Sequence, residues 1–97
     1  MSTYIKDPQA ILDYGFDWSD WLADGETIIE STWVIDPAES DGLEKDTIKG
    51  DSFEATGGTT IWLGGGTDGE DYTVTNHVKT SDDREDDRSH KIKVRQR

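Results

Sequence analysis

Apolar and polar positions alternate along most of this chain. Leu12, Tyr14, Phe16 and Trp18 alternate with Asp13, Gly15 and Asp17, which predicts a strand with an aromatic inner face. Thr27 to Ile35 reads as a second strand, ended by Pro37. Leu43 to Ile48 is a weak third, Ser52 to Thr56 a short fourth around Phe53, and Ile61-Trp62-Leu63 the centre of a fifth. In the sixth, Tyr72, Val74 and Val78 share one face with Asn76, and Thr73, Thr75, His77 and Lys79 the other. The seventh runs from about Arg88 to Arg95, with Ile92 and Val94 inward. Leu12, Tyr14, Phe16, Trp33, Val74, Val78, Ile92 and Val94 are expected to share one core, with Trp21 and Leu22 plugging one end. If Ile61 and Leu63 point inward, Trp62 points out. Asn76, among buried neighbours, needs hydrogen-bond partners of its own.

Seven short strands, with turn signals every ten or so residues, predict an all-β immunoglobulin-like sandwich. Residues 10–97 form that domain and residues 1–9 an N-terminal arm, because Asp7-Pro8 breaks structure and leaves Tyr4 and Ile5 outside any periodic element. Such an apolar pair either tucks onto its own domain or docks on a partner. The turn before strand six carries a finer signal. Tyr72 follows Asp68 by four and precedes the inward Val74 by two, the spacing of a tyrosine corner, in which the hydroxyl bonds back to backbone. Its acceptor or donor is expected within Gly64 to Asp68. Gly64, Gly66 and Gly69 also spell G-x-G-x-x-G after a strand. A dinucleotide site requires a helix there, to aim N–H groups at phosphate. Glu70 to Lys79 has a strand pattern instead, so the glycines serve positive φ and a tight corner.

Composition changes the picture in two ways. Leu, Ile, Val and Phe number 18 of 97 residues, near the level at which chains stay unfolded, and only the four Trp supply compensating apolar area. Stability is expected to be marginal, and assembly would add to it. The net charge is −12, unevenly placed: residues 1–80 hold 17 acidic and 4 basic side chains, residues 81–97 hold 5 and 6. An acidic surface repels phosphate backbones, which argues against nucleic acid. No apolar run reaches membrane-span length and no secretory signal is visible, so neither a membrane nor secretion is expected. The basic last strand, with Lys91, Lys93, Arg95 and Arg97, either grips an acidic neighbour or discourages edge-to-edge aggregation.

Catalytic chemistry finds no foothold. There is no Cys, and His77 and His90, both expected at the surface, lie at no metal spacing and near no nucleophile motif. Asp82, Asp83, Glu85, Asp86 and Asp87 crowd the last connection without an EF-hand pattern, and Arg84 and Arg88 are expected to pair with carboxylates across that hairpin. No enzyme, cofactor or metal is expected.

Five blocks in order resemble a known family. They are Lys6-Asp-Pro-x-Ala-x-Leu-Asp-Tyr-x-x-Asp-Trp18, Ser31-Thr-Trp-Val34, Ile61-Trp-Leu-x-Gly-Gly-Thr, Tyr72-Thr-Val-Thr-Asn76, and Asp86-Asp-Arg-Ser89 with Lys91-Ile-Lys-Val94. Together they resemble small tailed-phage virion proteins described as fibre–tail adaptors. The Asp36 to Asp46 loop is longer and more acidic than that pattern, and Asp82-Asp83 replaces a Gly-containing turn. The resemblance implies a non-enzymatic structural protein of a tailed-phage virion, assembled in the host cytoplasm and present in several copies. It would dock a fibre or other component onto tail, neck or head subunits. Capsid decoration is the alternative within the virion. A free carbohydrate- or calcium-binding module is the alternative outside it, with Trp62 the residue to watch. Tyr4, Ile5, Lys91, Lys93, Arg95 and Arg97 are the expected assembly contacts.

Overall fold

The computed structural model describes residues 2–36 and 42–96. Among these residues, eight strands form two sheets. The first sheet has the order β1-β8-β7-β3, built from β1 (Ser2–Lys6), β8 (Glu85–Val94), β7 (Asp71–Thr80) and β3 (Ile28–Asp36). The second has the order β2-β6-β4, built from β2 (Leu12–Asp17), β6 (Gly58–Gly65) and β4 (Leu43–Lys45), and β5 (Asp51–Phe53) also pairs with β6. The architecture is an all-β sandwich, as the alternation predicts.

The core divides into two clusters. Tyr14, Ile35, Leu43, Ile61, Leu63, Tyr72, Val74, Ile92 and Val94 fill one half between the sheets, with Trp33 partly buried against them. Trp18, Ile28 and Val78 fill the other, covered by Phe16, Trp21 and Leu22. The seam between the halves is polar. Asn76 is fully buried on β7, and its Oδ1 accepts from Trp18 Nε1 at 2.9 Å and from Thr59 Oγ1 at 2.8 Å. Its Nδ2 donates to Ser31 Oγ at 2.9 Å and to the Thr32 carbonyl at 3.0 Å. One amide thus ties three strands and the Trp18 corner together, with every hydrogen-bonding group of the side chain engaged.

The tyrosine corner forms as expected. The Thr67 N–H donates to the Tyr72 hydroxyl at 3.0 Å, within the predicted turn. That turn leads from β6 directly into β7, so no helix faces the glycines. Gly66 shows why glycine is needed: its φ is 101°, and a Cβ there would stand 2.6 Å from Val94 Cγ2. Gly15 on β2 is a second case, since a Cβ would stand 2.0 Å from the Thr59 carbonyl oxygen.

Several expectations are corrected. The stretch expected as an arm is strand β1, parallel to β8, with Tyr4 opposite Ile92 and Lys6 opposite Val94. Asp7 still ends the strand: it accepts from Gln9 N–H, and its carbonyl accepts from Ala10 N–H. Because β1 covers β8, the basic strand is internal and β1 is the edge. Leu12 is exposed rather than in the core, because it lies at the outer end of β2, opposite Leu63. Phe16 and Trp33 are half-buried, so removing Trp33 costs less than removing a fully buried Trp. The third strand stops at Lys45, because Asp46 caps a turn and leaves Ile48 exposed. His90 is buried, not solvated: it stacks on Phe16 at 3.9 Å, and its Nε2 donates to the Gly15 carbonyl at 2.8 Å. Arg84 and Arg88 pair outside their hairpin. Arg84 binds Glu26 and lies over Trp21, while Arg88 lies over Trp18 and reaches Asp20 at 3.5 Å. Both aromatics sit in the loop after β2, which therefore draws the guanidinium groups across the sandwich. Residues 37–41 of the acidic loop, Pro37 among them, and Arg97 lie outside the described residues.

Candidate assembly surface

The outer face of the first sheet follows from its register. On β8, His90, Ile92 and Val94 point inward, so Lys91 and Lys93 point outward. Parallel pairing sets Thr3 beside Lys91 and Ile5 beside Lys93. Antiparallel pairing sets Thr73 and Thr75 of β7 beside Lys91 and Ser89, and Val34 of β3 beside Thr75. The Thr75 and Ser89 hydroxyls bond at 2.7 Å. The result is a flat field of small hydroxylated side chains, edged by Ile5 at 54% exposure and Val34 at 61%.

Charge on this face is polarised along β8. At the Glu85 end, His77 lies between two carboxylates, with Nε2 against Glu85 at 2.8 Å and Nδ1 against Asp87. Both ring nitrogens can donate only as the imidazolium, and Glu85 first, then Asp87, raise the His77 pKa above its ordinary value. Lys79 stands 3.8 Å from Glu30. At the other end, neither Lys91 nor Lys93 forms an ion pair among the described residues. Both are partly exposed, on a chain of net charge −12.

The expected contact residues therefore separate. Ile5, Lys91 and Lys93 come together on the outer face. Tyr4 is turned inward, its ring 5.2 Å from that of Tyr14 and 5.1 Å from that of His90, although 41% of it remains exposed. Arg95 is committed within the chain: it pairs with Asp71 at 2.9 Å and donates to the Glu70 and Val94 carbonyls. Lys6 is fully buried and was not singled out by its sequence context. Its ammonium donates to the Gly65 carbonyl at 2.7 Å and the Asp7 carbonyl at 2.9 Å, tying β1 to the corner turn. Burial pushes its pKa down, and Asp7 opposes that shift. Its place two residues after Tyr4, on the same face of a short strand, is the signal that it points inward.

Trp62 faces outward, as the alternation requires, but the Lys49 ammonium lies 4.4 Å from its ring centroid and covers it. The ring is thus not a bare platform for a sugar. Among the described residues, no group of three or more His, Asp or Glu is placed to hold a metal ion. A shallow cavity of about 230 Å³ opens between β3 and β5, lined by Ser31, Trp33, Lys45, Asp51 and Ile61. The Lys45–Asp51 ion pair at 3.0 Å is part of its lining.

Comparison with known protein families gives a match over residues 6–93, to the family described as podophage GP4 fiber-tail adaptor protein gp77. No curated protein matches the chain.

Proposed function

We propose that this chain, which belongs to the podophage fiber-tail adaptor family, joins a fibre to the tail as a non-enzymatic structural subunit. The family is one of structural phage proteins, and membership associates the chain with the virion. In this reading several copies dock on neighbouring tail subunits after synthesis in the host cytoplasm, without nucleic acid or membrane contact. The observation that carries it is the outer face of β1 and β8, where Ile5, Lys91 and Lys93 combine apolar area with positive charge not engaged in an ion pair among the described residues. An acidic surface on a partner would complement that charge. Reading the sandwich as immunoglobulin-type is supported by the neighbour relations β3-β7-β8 and β2-β6-β4, and by the Tyr72 corner.

The test is incorporation. Phage particles assembled without the protein are mixed with purified wild-type chain or with Lys91→Glu/Lys93→Glu, and bound protein is quantified by immunoblot. Wild-type protein binds, and the variant binds at least about tenfold less at low salt, with a gap that narrows as salt rises. Equal binding of the two would remove this face from the interface.

A further inference from the structure

The outer face of the second sheet also follows from its register, and its charge has the opposite sign. Tyr14, Ile61, Leu63 and Leu43 point inward, so Asp13 on β2, Trp62 and Gly64 on β6, and Glu44 on β4 point outward. Pairing sets Asp13 beside Trp62 and Glu44 beside Gly64. Ile11, just before β2, lies on the same face. It is 47% exposed, and a Cβ on Gly64 would stand 3.6 Å from its Cγ1. Asp13 and Glu44 are exposed, and neither forms an ion pair among the described residues. Lys49, a cation on this face, is engaged over the Trp62 ring. The face thus presents an exposed isoleucine with two uncompensated carboxylates.

Two glycines on this face have no cause within the chain. Gly58 and Gly64 are strand residues on β6, and neither has a positive φ. A Cβ on Gly64 would meet Ile11 at 3.6 Å and one on Gly58 would meet Glu54 Cδ at 3.8 Å, both ordinary contacts. Glycine weakens a strand, and where its own fold does not demand it, it marks the close approach of another backbone. The surface at these positions is flat, as is the field of threonines and Ser89 on the first sheet.

The two faces match. On the first sheet Ile5 lies beside Lys93 and diagonal to Lys91; on the second Ile11 lies with Asp13 and Glu44. Each is an exposed isoleucine with two charges, and the signs are opposite. We propose that the acidic face of the second sheet is the partner of the lysine face on a neighbouring copy of this chain, so that copies stack head to tail, sheet on sheet. The inference rests on the adaptor reading, which brings several copies to one docking site, and names the partner of its lysine face. The contact is centred on the Ile5 end, because Glu85, Asp87 and Glu30 at the other end of the first sheet would repel an acidic surface. Asp36, across Thr73 from Lys91, marks its limit. A head-to-tail contact either closes into a ring or leaves one face of each sign free at the ends of the stack.

Sedimentation velocity on the purified chain, without particles, tests this. Four proteins are compared: wild type, Lys91→Glu/Lys93→Glu, Asp13→Lys/Glu44→Lys, and the fourfold variant carrying both pairs. Denaturation midpoints are checked first. Asp13 and Glu44 are exposed, so their variant carries the test alone if the lysine pair proves necessary for folding. Wild type self-associates at low salt, and the association weakens as salt rises. Each double variant weakens it at least about tenfold, by setting like charges against each other. Asp13→Lys/Glu44→Lys does so even though it makes the chain less acidic, which by overall repulsion alone would favour association. The fourfold variant has the wild-type net charge of −12 with the two faces exchanged in sign, and it regains association. A wild-type chain that stays monomeric at low salt up to its solubility limit refutes the contact. So does association that survives Asp13→Lys/Glu44→Lys, or a fourfold variant no better than the doubles. In those cases the adaptor reading stands on the particle-binding result. If wild type self-associates as expected but binds no particle, the adaptor reading fails and the contact between copies stands.

Discussion

Replacing Asn76 by Ala tests the polar seam of the core. The Trp18 indole N–H is fully buried, and among the described residues it has no acceptor other than Asn76 Oδ1. Orphaning it costs about 1–3 kcal/mol. Thr59 loses less, because the Phe16 carbonyl lies 3.5 Å from its hydroxyl and can accept in place of Asn76. The bonds to Ser31 and the Thr32 carbonyl vanish as well, for about 1 kcal/mol together, and the missing amide leaves a small cavity worth about 1 kcal/mol more. The sum is about 3–5 kcal/mol, a large fraction of the total of about 5–15 kcal/mol expected for a domain. Urea denaturation followed by Trp fluorescence measures it, with the slope checked for two-state behaviour. Asn76→Leu supplies the discriminating control. The leucine side chain refills the space but accepts nothing, so it recovers the cavity contribution and leaves Trp18 orphaned. An Asn76→Leu variant as stable as wild type would refute the reasoning, because packing alone would then account for the seam. The Thr59→Val change should also cost less in the Asn76→Ala background than alone, since its partner is already gone.

Two further outcomes follow from the corners. Tyr72→Phe removes the acceptor of the Thr67 N–H and should lower stability by about 0.5–1.5 kcal/mol; an unchanged midpoint at unchanged slope would show that the corner bond contributes nothing. Glu26 is held ionised by Arg84, by the Ala23 N–H and by the Thr80 hydroxyl, which lower its pKa to about 2, well under the usual carboxylate value of 4.5. Its folded-state pKa lies below the unfolded one, so its stabilisation is fully present above about pH 4.5 and is lost as pH falls toward 2. The gap in denaturation midpoint between wild type and Glu26→Gln should therefore shrink across that window, and a gap independent of pH would contradict the assignment.

The face of Ile5, Lys91 and Lys93 was half legible in the sequence. Alternation on the last strand put both lysines opposite Ile92 and Val94, but Ile5 joins them only because β1 pairs in parallel with β8. A parallel pairing between the first and last strands leaves no local mark, since the partners lie more than eighty residues apart. His90 was misread for the same reason: its neighbours in sequence are charged, and what buries it is Phe16 and Tyr4 from two other strands. Trp62 shows the opposite case, where alternation gave the direction of the ring but not the lysine lying over it.

What local chemistry could encode was readable in order along the chain. Apolar runs and turn signals marked seven of the eight described strands, three of them by period-two alternation, the Gly-rich corner excluded a phosphate site, and the spacing of Tyr72 fixed a hydrogen bond before any contact was seen. Asn76 announced by its position that it must be satisfied. Only the tertiary structure decided by whom: Trp18, Thr59, Ser31 and Thr32 reach it from elements as much as 58 residues away. It also decided that a stretch broken by Asp7-Pro8 still forms a strand, with its lysine buried against a distant carbonyl. Alternation is set by the backbone, within a few residues. Partnership is set by which surfaces remain to be covered once the sheets close, and that is a property of the whole chain.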